Sequence, residues 1–205
     1  MLLTQRATPF IYQGDELGMT NYPFQNINEF QDIEVKGLWK EYVEGGKAEA
    51  KEFIANVKNN NRDNSRTPFQ WDASAQSGFT TGTPWFPVNP NYKEINASAE
   101  VNDPHSVYHY YRRLIALRHE IPALVQGEYR DRDPNGDDVY AYTRTLEGQR
   151  YLVAINFTES PQHYALPKEM RVQSTLLSNV DTPTPAEHAN ALELAPWQAG
   201  IYQLK

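Results

Sequence analysis

Cysteine is absent from the 205 residues. That excludes disulfides and thiolate metal sites, and it fits a reducing, cytoplasmic setting. Basic charge is scarce: 19 Lys and Arg against 26 Asp and Glu give a net charge of −7. No Lys/Arg cluster could track a phosphate backbone, so nucleic acid is excluded as a partner. No run of about 18 apolar residues occurs, which excludes a membrane-spanning helix. The first ten residues lack the charged-then-apolar pattern of a secretory signal. Internal repeats and low-complexity segments are missing as well. What is present is a chain with 40% hydrophobic and 12% aromatic residues, enough for a real core.

The densest chemistry lies in Asn61-Arg62-Asp63-Asn64-Ser65-Arg66-Thr67-Pro68-Phe69-Gln70-Trp71-Asp72. Two arginines, two aspartates and three amides surround a Thr-Pro turn, with two aromatics after it. Guanidinium and carboxylate groups give directional bonds to hydroxyls, and a flat aromatic face covers the apolar side of a sugar ring. The alternative is a loop held by its own Arg–Asp pairs.

Before this motif, residues 8–12 form an apolar run that reads as a buried parallel strand, closed by Gln13-Gly14. Asp15 and Glu16 follow, either as site carboxylates at the end of a sheet or as the start of a short helix. Helical spacing of apolar residues predicts helices over 28–45 and 47–59. Residues 74–102 carry no period but hold Phe79, Trp85, Phe86 and Tyr92, which argue for an ordered wall rather than disorder. A third helix is predicted over 106–119. His105, His109 and His119 have no carboxylates at metal-ligand spacing, so no metal is expected.

From residue 124 the pattern changes. Strand-like runs at 127–131, 138–144, 150–157, 162–166, 172–178, 191–194 and 200–204 are separated by turn residues. They predict an antiparallel β-sandwich domain over 123–205, after an α/β segment over 1–122. Tyr129, Tyr140, Tyr142, Tyr151 and Tyr164 sit at alternating positions, as core residues or as a row of carbohydrate-stacking rings.

Thr8 to Met19 resembles the eighth barrel strand of α-amylase-type glycoside hydrolases. The motif at Arg62 to Asp72, Gly78-Phe79-Thr80-Thr81-Gly82, and Pro84-Trp85 with Val88-Asn89-Pro90-Asn91-Tyr92 resemble the oligo-1,6-glucosidase, α-glucosidase and sucrose isomerase group. The likeness continues through Asn156-Phe157 and Glu193 to Tyr202. It implies the last βα unit of a (β/α)8 TIM barrel with a long excursion loop, then a C-terminal β-sandwich. It also implies retaining cleavage of α-glucosidic bonds in short oligosaccharides by carboxylates upstream of Met1. None of those is matched in this chain, so no catalytic residue and no cofactor is assigned here. Arg62 and Arg66 are the implied substrate-binding residues, with Arg62 favoured as the sugar-facing one. The implied partners are isomaltose, isomalto-oligosaccharides or sucrose. Self-association of a truncated barrel segment is a further expectation. Two alternatives stand beside the hydrolase. One is a sucrose isomerase making isomaltulose or trehalulose. The other is a non-catalytic carbohydrate-binding or structural module.

Overall fold

The computed structural model describes residues 1–181 and 189–205. The chain forms two compact units. One comprises Ile11–His109; the other joins Met1–Phe10 to Tyr110–Lys205.

In the first unit, helix α1 (Ile33–Trp39) runs into a π-helical turn, Lys40–Glu44. Helix α2 (Ala50–Val57) follows, then helix α3 (Ala97–Asn102). Phe24, Phe30, Val35, Phe53 and Ile54 form the core of this excursion. Phe24 and Phe30 stack at 4.3 Å, and Trp39 meets Phe53 edge-on at 5.6 Å. The helix expected over 28–45 starts later, because Asp32 caps it by accepting the Glu34 N–H at 3.0 Å. Phe30, just before, is extended and packs into the core. α3 interrupts the stretch expected to be irregular. Asn96 caps it, accepting the Ala99 N–H at 2.9 Å.

The strand expected at 8–12 joins no sheet among the described residues. It has no ladder partner, and Phe10 is 84% exposed. A strand needs ladder partners, and every strand pair described here is antiparallel and C-terminal to it.

Helix α4 (Val107–Glu120) leads into the second unit, and helix α5 (Pro122–Gln126) follows with proline in its first turn. Among the described residues, seven strands come next: β1 (Glu128–Asp131), β2 (Val139–Leu146), β3 (Gln149–Asn156), β4 (Gln162–Ala165), β5 (Val172–Ser178), β6 (Ala191–Leu194) and β7 (Ala199–Leu204). Five form an antiparallel sheet in the order β1-β2-β3-β7-β5; β4 and β6 pair separately. Leu152, Ala154, Tyr202 and Leu204 on one face of the large sheet pack with Tyr164, Leu192 and Leu194 of the small one. Val153, Ile155 and Ile201 on the other face pack with Leu114 and Tyr111 of α4. Covered on both faces, β3 reads Tyr151-Leu152-Val153-Ala154-Ile155 without alternation. The fold ties the amino-terminal segment to this unit as well. Arg118 donates to the Leu3, Gln5 and Ala7 carbonyls at 2.8, 2.8 and 2.9 Å.

The candidate tyrosine row does not form. Tyr142, Tyr151 and Tyr164 are buried and Tyr140 is half-buried, which leaves only Tyr129 exposed. Tyr129 and Tyr140 join their hydroxyls at 3.0 Å instead. Leu152 lies at the centre of the sandwich, 1% exposed. Leu152→Ala is expected to cost about 2–5 kcal/mol of unfolding free energy, measured by urea denaturation.

Candidate functional site: an arginine–aspartate clasp

The motif at 61–72 opens as a 3-10 turn, Arg62–Arg66. Asn61 closes α2 and starts that turn. Its Nδ2 donates to the Val57 and Lys58 carbonyls at 3.0 and 2.9 Å, and its Oδ1 accepts the Asp63 N–H at 3.0 Å. One asparagine thus satisfies both ends of a sharp chain reversal.

Asp63 is fully buried. Its Oδ2 accepts the N–H groups of Gln31 and Asp32 at 2.7 and 2.9 Å, while Oδ1 accepts Arg66 Nη1 at 2.8 Å. This fixes the 31–32 backbone against the turn. Asp32, 2% exposed, then receives Arg62 in a fork: Nε to Oδ2 at 2.8 Å and Nη2 to Oδ1 at 2.5 Å. Bidentate pairing of this kind fixes the guanidinium plane as well as its position. The hydrogen bonds from Arg62 hold the Asp32 carboxyl well below the usual carboxylate range. The Glu34 N–H adds to this effect, and burial opposes it.

The two arginines differ. The Arg62 side chain is 57% exposed, and Glu34 Oε2 lies 3.8 Å from Nη2. Arg66 is more enclosed and holds the buried Asp63. Arg62 therefore offers a held but accessible guanidinium beside an exposed carboxylate, a combination suited to vicinal hydroxyls.

Asn61, Asn64 and Ser65 also border a polar cavity of about 240 Å³ with Tyr12, Asn21 and Phe69. Tyr12 Oη donates to the Ser65 carbonyl at 2.8 Å, and Asn64 Oδ1 accepts the Tyr22 N–H at 3.0 Å. The unpaired segment before Gly14 is thus tied to the motif by its one phenol. Gly14 adopts φ +98°, and a Cβ there would meet Met19 Sδ at 2.7 Å, so this turn requires glycine.

The remaining carboxylates are engaged locally. Asp15 accepts the Tyr12 N–H at 3.1 Å and Glu16 the Gly14 N–H at 2.8 Å, as residues of a short turn, Asp15–Leu17. Asp72 accepts the Ser74 N–H at 2.8 Å and its hydroxyl at 2.5 Å, which lower its pKa. Sequence reasoning missed Asp32, which it placed inside a helix. The signal was available: an aspartate immediately before Ile33-Glu34-Val35 fits an N-cap.

The Asp32 titration gives a pH dependence of known sign. Its carboxyl is lower in the folded state than the unfolded value of 3.8. The stabilisation is therefore present above pH 3.8 and is lost as pH falls below it toward the folded value. Acid unfolding of the wild-type chain, followed by near-UV circular dichroism, should show this loss. Asp32→Asn should be weaker at neutral pH and flatter through the same window; an unchanged acid profile in that variant contradicts the assignment.

Comparison with known proteins places these features in context. Residues 1–127 match the family described as alpha amylase, catalytic domain, and residues 132–201 match maltogenic amylase, C-terminal domain. An oligo-1,6-glucosidase of Parageobacillus thermoglucosidasius is 43% identical over 202 residues, covering 98% of this chain and 36% of the relative. A trehalulose synthase structure from Pseudomonas mesoacidophila MX-45 is 58% identical with a TM-score of 0.95, covering all of this chain and 37% of that one. An isomaltulose synthase mutant structure from Erwinia rhapontici NX5, bound to sucrose, is 57% identical with a TM-score of 0.95. The chain thus spans a little over a third of the length of these relatives. It belongs to the α-amylase family, matching the end of the catalytic (β/α)8 domain and the all-β domain that follows it.

Proposed function

We propose that this chain contributes one wall of the sugar site in a retaining enzyme that acts on short α-glucosides, with Arg62 as the residue that bonds substrate. The observation that carries this reading is the Asp32–Arg62 fork: a guanidinium fixed by a buried carboxylate yet left accessible beside Glu34. Arg66 supports the wall from behind through Asp63. The nucleophile and the acid/base are carboxylates that these residues do not supply. Asp15, Glu16 and Asp72 each accept local N–H groups, and Asp63 is buried under Arg66, so none forms an open pair across a scissile bond. The functional division is 1–122 as barrel segment and 123–205 as β domain. The cysteine-free composition supports a cytoplasmic setting.

Two outcomes are chemically open to a glucosyl intermediate: transfer to water, or return to the released fructose at another hydroxyl. Identities of 57–58% to sucrose isomerase structures, against 43% to an oligo-1,6-glucosidase, favour the second. The oligo-1,6-glucosidase reading is the runner-up.

Product analysis of the enzyme containing this chain separates them. With sucrose, isomerisation gives isomaltulose or trehalulose as the main product; glucose and fructose alone favour the hydrolase. In either case Arg62→Ala should lower kcat/KM on the order of a hundredfold, since a held charge and its buried partner both lose their bonds. Arg62→Lys should not restore the rate, because an ammonium cannot reproduce the fork. A variant with unchanged kcat/KM assigns the arginine to structure alone.

A further inference from the structure

Residues 75–92 form a second concave surface whose lining shares no residue with the cavity beside Ser65. It is a groove of about 720 Å³, within the 300–1,000 Å³ or so typical of small-molecule sites. Trp85 stands in it, 74% exposed. Behind Trp85, the buried Phe86 meets the indole at 4.7 Å and 63°. Gln76, Thr83 and Tyr92 also line it, together with Pro84, Pro87 and Pro90.

The groove is built rather than incidental. Gln76, Ser77 and Gly78 are three consecutive residues with φ of +54°, +53° and +67°. Left-handed backbone at two non-glycine residues in a row costs free energy and persists only when the surroundings enforce it. Here they do. Ser77 is fully buried, and its carbonyl accepts the N–H groups of Trp71 and Asp72 at 2.9 and 3.2 Å. Gly78 lies against the Asp72 carboxylate, which a Cβ would meet at 2.8 Å. The strained turn sets Gln76 on the rim. On the other side, Asn89 anchors the 85–92 segment by donating to the Thr20 and Asn21 carbonyls at 3.0 and 3.1 Å. Three prolines stiffen that segment and reduce the ordering entropy a ligand would have to overcome.

The chemistry of the lining selects its ligand. No charged side chain borders the groove, so an anionic or cationic ligand finds no counter-charge. Among the described residues, the Gln76 amide, the Thr83 hydroxyl, the Trp85 indole N–H and the Tyr92 hydroxyl make no hydrogen bond within the protein. Four neutral hydrogen-bonding groups around one flat indole face match a pyranose ring, which carries hydroxyls at its edge and C–H groups on its face. A proline-rich peptide also docks on aromatics, but it uses several parallel rings, and one exposed indole gives it a single ridge.

We propose that the Trp85 groove is a binding site for a neutral oligosaccharide, separate from the wall formed by Arg62, with Trp85 as stacking platform and Gln76 as polar anchor. This proposal does not rest on the role given to Arg62.

The test is calorimetric titration of the chain with maltotriose and with isomaltotriose, together with tryptophan fluorescence. The expected result is saturable binding of at least one trisaccharide with a shift in indole emission. Trp85→Ala should abolish it. Gln76→Gly should weaken it several-fold while relieving the strained turn, so that lost affinity cannot be ascribed to unfolding. Trp197→Ala, at an exposed position in the other unit, should leave it unchanged. Absence of saturable binding, equal affinity in Trp85→Ala, or displacement of the sugar by a polyproline peptide at lower concentration each overturns the proposal. Loss of all binding in Arg62→Ala, with Trp85→Ala unaffected, assigns the sugar to the Arg62 wall instead.

Discussion

The buried carboxylate of Asp63 is the constraint on which the first unit depends. It accepts two backbone N–H groups from residues 31 and 32 and one guanidinium from its own turn. Without it the 31–32 peptide units would lose their partners, and Asp32 would not be presented to Arg62. The hierarchy runs from Asp63 to the backbone, from the backbone to Asp32, and from Asp32 to the exposed guanidinium. Buried ion pairs are weak contributors to net stability, because desolvation offsets much of their attraction. Their contribution here is geometric: a fork that holds one arginine while leaving it accessible. A long, flexible arginine would otherwise lose rotamer entropy on meeting a ligand.

The β domain follows a simpler logic. Its central strand is buried on both faces, so its identity shows in continuous apolar sequence, whereas β2 alternates Val139 and Ala141 with Tyr140 and Tyr142 across two cores. Loops after β3 and β6 are closed by Asn156. Its Nδ2 donates to the Ser160 and Ala195 carbonyls at 2.8 and 2.9 Å, and its Oδ1 accepts the Thr158 N–H at 2.9 Å. The Asn156-Phe157 and Pro196-Trp197-Gln198 motifs therefore lock one end of the sandwich.

All seven strands, α2 and α4 were legible in the sequence, because each carries a local period and a turn or breaker at its ends. The Arg-rich motif was legible as chemistry. Its internal wiring was not. Asp32 lies thirty residues before Arg62, and nothing local to either shows that they meet. The same limit explains α1: Ile33 and Leu38 suit an apolar helix face yet are exposed, since the face is set by where Asp32 starts the helix. The segment at 8–12 shows the converse. Its composition is that of a buried strand, but burial and pairing come from neighbouring strands, which composition cannot supply. The groove at Trp85 was legible only as an aromatic wall; that three residues beside it are left-handed follows from Ser77 being buried, a tertiary fact.

The central claim is that Arg62 meets the sugar while Asp32 holds it in place. A crystal structure of the enzyme containing this chain, with glucose bound, tests it most directly. The account predicts a sugar hydroxyl within about 3.2 Å of an Arg62 guanidinium nitrogen, with both Asp32 bonds retained. A glucose bound without Arg62, or bound only after the Asp32 fork has opened, contradicts it.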